Sequence, residues 1–254
     1  MIDFQTINHL LSDFEPVTLT EVASVRLMDR IDSKYVTSVS ELIPFLSLLQ
    51  NDFYVQQING TYLAKYFTVY YDTDESDYYR IHQTKRSNRQ KIRVRNYVDT
   101  HTAFVEVKNK NNRGRTKKVR VSCLPNQEIH LNQFDDFLLD KSIFPVEGLL
   151  PHVQNTFHRV TLLNKQRTER LTIDFGLSFQ NRRTGNSSSV SNICIIELKQ
   201  QGQIPSKAKE ILRTLRIKPK GFSKYCTGCA LTNPMLSQNF IKQKIKFINN
   251  LNNI

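Results

Sequence analysis

Apolar and polar positions alternate along this chain with two distinct periods. Ile7, Leu10, Leu11 and Phe14 recur at helical spacing, which predicts one helix over the first 25 residues, interrupted by Pro16. Ser40 to Leu49 predicts a short amphipathic helix capped by Ser38 or Ser40. Leu131 to Leu139 and Ser206 to Leu215 predict two more, the second starting at a serine cap. Elsewhere the period drops to two. Strands are predicted over Arg26 to Val36, Tyr62 to Tyr71, Gln90 to Val98, Ala103 to Lys110 and Thr116 to Val121. Further strands follow over Phe157 to Asn164, Glu169 to Phe175 and Ile193 to Lys199. A turn is expected at Asn112 to Gly114, and a polar, mobile loop at Asn181 to Ser191. The segment after Pro234 is a helix or a loose tail. No repeat and no linker divides the chain, so it reads as one α+β domain over 1–232 with 233–254 appended.

The strands carry the information about function, because successive side chains point to opposite faces. Lys91, Arg93, Arg95 and Tyr97 share one face of their strand, opposite Ile92, Val94 and Val98. Glu106, Lys108 and Lys110 lie opposite Val105 and Val107, and Lys118 and Arg120 alternate with Val119 and Val121. Arg170, Thr172 and Asp174 alternate with Leu171 and Ile173, and Glu197 and Lys199 with Cys194, Ile196 and Leu198. Five strands thus have one apolar and one charged face, and the charge is mostly positive.

Composition sharpens this. The 254 residues are 39% hydrophobic, enough for a substantial core, and carry a formal net charge of +13, which calls for an anionic partner. No apolar run is long enough to span a bilayer. Met1 to Thr20 carries Asp3, Asp13 and Glu15 without Lys or Arg, unlike a signal or transit peptide, so a cytoplasmic location is expected. Cys226 and Cys229 form a CxxC that lacks a second ligand pair for zinc and a βαβ setting for redox work; two ordinary thiols are expected.

An ordinary antiparallel sheet would put a charged face in water. Against that reading, arginine dominates the most basic strand, and its planar fork suits phosphate. The charged faces also concentrate cations rather than mixing signs. Glu106/Lys108 and Glu197/Lys199 each place a carboxylate two residues from a lysine, hence among cations and able to hold a metal ion. If the sheet closes with its charged faces inward, about eight strands enclose a bore of side-chain width. The fold expected is therefore an antiparallel closed β-barrel with helices on its outer face. Cations crowded in such a bore repel one another unless water or an anion fills it.

Several pieces, in order, resemble a known family. They are Arg30-Ile-Asp32-Ser-Lys34-Tyr35, Tyr70-Tyr71-Asp72-Thr73 with Tyr79 and His82, Asn88-Arg89-Gln-Lys91-Ile-Arg93-Val-Arg95-Asn-Tyr97 and Phe104-Val-Glu106-Val-Lys108. Then come Gly114-Arg-Thr-Lys117-Lys118-Val-Arg120, Phe157-His-Arg159-Val-Thr161-Leu162, Glu169-Arg170-Leu-Thr172-Ile-Asp174, Ile196-Glu197-Leu-Lys199 and Ser223-Lys224-Tyr225-Cys226-Thr-Gly228. Together they resemble the VTC domain of polyphosphate polymerases, within the triphosphate tunnel metalloenzymes, and are most similar to its stand-alone bacterial members.

The resemblance implies a tunnel whose inward Lys and Arg bind triphosphate and polyphosphate. It implies phosphate ligands at Lys34, Lys91, Arg93, Arg95, Lys108, Lys118, Arg120, Arg159, Arg170, Lys199 and Lys224. Of these, Lys34, Arg93, Arg95 and Lys224 would be catalytic together with Glu197, which would hold Mn²⁺ or Mg²⁺ with Glu106 as helper. One departure is Phe157, where fungal members carry a tyrosine and hence a hydroxyl. On the residues alone, Lys34 also fits a solvated strand end, Lys224 a loop lysine, Asp72 a turn residue and His82 a surface residue.

The implied reaction moves the γ-phosphoryl group of ATP onto a polyphosphate chain. A triphosphatase on the same tunnel and a non-catalytic polyphosphate-binding module are the alternatives. Nucleic-acid binding fits the charge, but no helix-turn-helix, zinc-finger or RNA-recognition signature accompanies it.

Overall fold

The computed structural model describes residues 4–25, 27, 29–84, 86–113 and 115–252. Asp3 of the acidic N-terminal segment, Arg26 of the first expected strand and Gly114 of the expected turn lie outside them. Helix α1 is Phe4–Ser12 and buries Ile7 and Leu11. Strand β1 (Glu15–Thr18) follows at once, then α2 (Leu19–Ser24), whose cap Thr18 and Glu21 bond reciprocally as a capping box. The single N-terminal helix expected is thus two helices with a strand at Pro16. Next come β2 (Arg30–Ser38) and α3 (Val39–Ser47), the latter capped by Ser38.

Among the elements absent from the sequence reading are β3 (Phe53–Gln57) and α4 (Asp77–Gln83), which flank β4 (Ala64–Asp72). Strands β5 (Arg89–Tyr97), β6 (Thr102–Lys110) and β7 (Thr116–Cys123) form a meander. The expected helix near Leu131 is a 3-10 turn, Leu131–Phe134, running into the short α5 (Asp135–Leu138). Three long strands follow: β8 (Leu150–Asn164), β9 (Glu169–Asn181) and β10 (Ser187–Gln201). The polar stretch expected as a loop from Asn181 to Ser191 is mostly strand, with only 182–186 as its turn. Its serines pair with β9, Ser187 opposite Gln180 and Ser189 opposite Ser178. Helices α6 (Lys207–Thr214), α7 (Lys224–Thr232) and α8 (Lys242–Asn252) complete the chain, so the residues after Pro234 do include a helix.

The ten strands form one sheet in the order β2-β10-β9-β8-β4-β5-β6-β7, antiparallel along that path, with β3 on β8 and β1 parallel to β3. Closure is not observed. The path ends at β2 and β7, and among the described residues no ladder joins those edges. Both edges are basic. Pairing them would press Lys118 and Arg120 of β7, both exposed, toward Lys34 of β2, and charged edges resist further pairing.

The outer, apolar face is covered in two places. Ile7 and Leu11 of α1, Leu42, Phe45 and Leu46 of α3 and Ala208, Ile211 and Leu212 of α6 bury Leu162, Leu171, Ile173, Ile196 and Leu198. Ile129, Leu131, Leu138, Val146 and Leu149 cover Ile92, Val94, Val105 and Val107 of β5 and β6. Each such side chain contributes roughly 1.5–3 kcal/mol on burial. The inner face is apolar at one end, where Ile248 of α8 packs on Leu177, Ile193 and Ile195. The rest of that face is charged.

Candidate functional site: a basic face with three shared carboxylates

Register places the charged faces side by side. Arg93 lies opposite Glu106 and Lys91 opposite Lys108; Lys118 and Arg120 face Lys108 and Glu106 in turn. On the other flank Arg159 is opposite Asp174, Thr172 opposite Glu197, and Glu197 opposite Lys34. The sheet curls so that the flanks meet electrostatically: Lys108 of β6 is under the influence of Glu197 and Lys34. Between them lies a cavity of about 1440 Å³ lined by Lys34, Lys91, Lys108, Lys110, Glu197 and Ser223, among others. Its rim adds Arg89, Arg113, Arg115 and Lys244.

Three carboxylates organise the cations, and each is shared by two. Glu106, fully buried, accepts from Arg93 Nε at 2.8 Å and Nη2 at 2.6 Å and from Lys118 at 3.0 Å. Asp174 accepts from Arg159 Nε at 2.5 Å and Nη2 at 2.7 Å, and from Lys224. Glu197 accepts from Lys199 at 2.9 Å and from Lys34. Burial alone would raise the Glu106 carboxyl, but Arg93, Arg95 and Lys118 outweigh it and hold it at about 2. Asp174 and Glu197 are likewise driven well below the ordinary carboxylate range by their paired cations, against the opposing effect of burial.

Each triad keeps one positive charge in excess. Lys91, Arg95 and Lys108 have no carboxylate within ion-pair distance among the described residues. Lys91 donates to Ser223 Oγ at 3.0 Å, and Arg95 Nε to Thr68 Oγ1 at 3.3 Å. Lys108 is exposed on the cavity lining, yet desolvation and crowding by Arg93, Lys34 and Lys91 pull its ammonium down to about 8 despite Glu197.

Helix α7 enters this face. Ser223 caps it by accepting the Cys226 N–H at 3.2 Å, so Lys224 is its first helical residue rather than a loop lysine. The positive end of the helix thereby adds to the field of the cations. Tyr225 donates to Asp72, which also accepts the N–H groups of Thr73, Tyr78 and Tyr79 at 2.8, 2.8 and 3.0 Å. Asp72 is thus a strand-end residue that ties α7 to α4. Cys226 and Cys229 are free, buried thiols of α7, and Cys229 Sγ lies 3.9 Å from His152 Nδ1.

Most residues singled out from the sequence are brought together, with four differences. Arg170 turns its guanidinium to the carbonyls of Val22 and Val25 and anchors the end of α2. Glu106 is fully buried with both oxygens engaged by cations, and unlike Glu197 it does not line the cavity. Arg120 is exposed and lies 4.2 Å over the Phe104 ring. His82 is half-buried at the cavity wall, with Nε2 at 3.1 Å from the Gln90 carbonyl. Phe157, the departure from the fungal pattern, offers a ring instead of a hydroxyl. It stacks on Tyr66 at 5.0 Å, and Lys224 and Arg159 rest over it at 4.2 and 5.5 Å. Missed by sequence reasoning were Asp174 as a counter-ion and Tyr70, whose hydroxyl is 3.4 Å from Arg93 Nη1.

The VTC domain family model matches residues 29–233. No curated protein matches the chain. Among solved structures it is similar to a Hippeastrum protein named as an adenylyl cyclase with a dominant triphosphatase activity, at 16% identity and a TM-score of 0.49, over 83% of this chain and 99% of that one. It is also similar to an adenylate cyclase-like protein of Bacillus halodurans, at 20% identity and a TM-score of 0.43, covering 77% and 96%. An RNA triphosphatase of S. pombe follows at 10% identity and a TM-score of 0.33, covering 85% and 90%. No helix among the described residues is long and apolar enough to cross a membrane. With the family model spanning the strands and the helix that build the basic face, the chain belongs to the VTC domain family.

Proposed function

We propose that this chain is a metal-dependent phosphotransferase that moves the γ-phosphoryl group of ATP to the end of an inorganic polyphosphate chain, leaving ADP. The observation that supports this reading is the concentration of cations on one concave face, two to each carboxylate with Lys91, Arg95 and Lys108 in excess. That excess suits a chain of phosphates, such as tripolyphosphate, the ATP tail or polyphosphate.

Phosphoryl transfer asks little covalent work of a protein; positioning and charge stabilisation dominate. Arg93, Arg95 and Arg159 offer planar forks to phosphate oxygens, and Lys34, Lys91, Lys108, Lys199 and Lys224 offer point charges. The attacking terminal phosphate oxygen is already ionised, so no general base is required. Glu197 lines the cavity, as does Asp32, which pairs with Arg30. One or two carboxylates plus substrate phosphates form the usual donor set for Mg²⁺, so Glu197 would hold Mg²⁺ or Mn²⁺ on yielding Lys34 and Lys199. The ion would supply charge neutralisation at the phosphate oxygens.

Hydrolysis is the second reading, favoured by the breadth of the cavity and the unpaired edges β2 and β7, which leave water a path to the phosphates. Incubation with ATP and Mn²⁺ followed by gel separation decides between them. Long polyphosphate with ADP supports the transferase, and free phosphate without polymer supports the triphosphatase. Glu197→Gln should bind tripolyphosphate in calorimetry without metal at least as well as the wild type. Its turnover should fall about a hundredfold. Tight binding without turnover in either protein would leave a binding module, and neither binding nor turnover would refute the reading.

A further inference from the structure

Tyr70 is a buried acid on the charged face that the triads do not use. It sits on β4 directly opposite Arg93, is 3% exposed, and holds its hydroxyl 3.4 Å from Arg93 Nη1. Charged groups converge on it from two elements: Lys91, Arg93 and Arg95 of β5, and Lys224 of α7. Tyr225 of α7 packs on its ring at 5.2 Å. The carboxylates nearby are committed elsewhere, Glu106 to Arg93 and Lys118, Asp174 to Arg159 and Lys224, and Asp72 to Tyr225. Of the four cations, Arg93 touches the phenol and is shared with Glu106, Lys224 is shared with Asp174, and Lys91 and Arg95 have no carboxylate of their own.

We propose that Tyr70 is the charged face's exchangeable counter-ion at mildly alkaline pH: there it gives its proton to solvent when the face holds no phosphate, and takes one back when a polyanion binds. The step balances as loss of one O–H proton to water and its return, with no other bond changed. The proposal rests on the phosphate-binding reading above. Burial pushes the phenol up, but Arg93, Arg95, Lys91 and Lys224 outweigh it and bring it down to about 8. Neighbouring phenols behave oppositely: burial raises Tyr66, Tyr71, Tyr78, Tyr79 and Tyr225. Phosphates bound to the same cations cancel the field that stabilises the phenolate, so ligand binding must raise the Tyr70 pKa and draw in a proton.

The test is the ultraviolet absorbance of tyrosinate followed against pH. One of the ten tyrosines should ionise in a separate step near pH 8, absent in Tyr70→Phe and retained in Tyr66→Phe. Saturating tripolyphosphate should move the wild-type step upward by one pH unit or more. Above the midpoint the wild type should lose affinity for tripolyphosphate about tenfold per pH unit relative to Tyr70→Phe. A wild type with no such step, a step that persists in Tyr70→Phe, or a step unmoved by bound tripolyphosphate would overturn the proposal. Should Tyr70→Phe not fold, the wild-type titration with and without ligand still decides. Failure of tripolyphosphate to bind at neutral pH is a different result: it overturns the phosphate reading and the proton uptake with it, whereas the step in the ligand-free protein is read independently.

Discussion

Replacing Asp174 with asparagine should be among the most damaging single changes on the charged face. Its side chain is 5% exposed, and its carboxylate holds both Arg159 and Lys224. Both cations are themselves largely buried, at 16% and 12% side-chain exposure. The asparagine amide fits the same space but leaves two cations near each other without a counter-charge. Breaking a buried pair from one side costs about 3–5 kcal/mol, because the surviving charge stays desolvated. For a chain of this length that corresponds to a melting temperature lower by about 6–20 °C. The assay is urea unfolding of Asp174→Asn, Lys224→Met and the double variant. Removing Lys224 as well relieves one of the orphaned charges, so the double variant should be more stable than Asp174→Asn alone, a coupling of about 1–3 kcal/mol. Tripolyphosphate at 100 times its Kd should return about 2.7 kcal/mol. A loss under about 1 kcal/mol in Asp174→Asn, or strictly additive effects in the double variant, would refute the claim that Asp174 is the counter-ion of this pair.

Acid should unfold the protein through the same groups. Glu106 is held at about 2 and Asp174 and Glu197 are also depressed, so the stability they supply is complete above the unfolded carboxyl range near pH 4 and is lost as pH falls from about 4 toward 2. A melting temperature that is flat across that interval would contradict this. Gly228→Ala should destabilise by about 1–3 kcal/mol, since the new Cβ would lie 2.6 Å from Phe179 Cδ1 and 3.2 Å from Val153 Cγ2. Denaturant unfolding checks it, and wild-type stability would mean that Phe179 moves aside freely.

The charged face was legible in the sequence because strand alternation is strict. Lys91, Arg93 and Arg95 share a side whatever the fold does, and register then sets Glu106 and Lys108 beside them. Closure was not legible, since alternation is the same in an open curl and a barrel; only the pairing at β2 and β7 distinguishes them. Helix α7 escaped notice for a different reason. Tyr225, Cys226, Thr227, Gly228, Cys229 and Ala230 are all buried, so the helix has no polar face to betray its period. The serines of β10 misled in the opposite sense: Ser187 to Ser189 pair with β9, yet their composition is that of a loop. Asp174 carries no local sign of being a counter-ion, because its partners, Arg159 on β8 and Lys224 on α7, lie on other elements.

The three triads also bear on what the proposed phosphate site would select. A carboxylate between two cations lowers their mutual repulsion without cancelling the charge of both, so the face stays positive while the empty protein remains foldable. A ligand must do better than these internal acids at several points together. Neighbouring strands stand about 4.8 Å apart, and same-face residues along a strand about 6.6 Å. One compact phosphate, like each internal carboxylate, would engage the two or so cations that converge on one point. A chain of linked phosphates reaches several, and after its first contact each further contact forms at a high effective concentration. On the phosphate-binding reading proposed above, selection for chains over single phosphates would follow from the strand lattice. Arg95, Lys91 and Lys108, which no internal carboxylate neutralises, are where such a chain would gain most, because no carboxylate has to be displaced there.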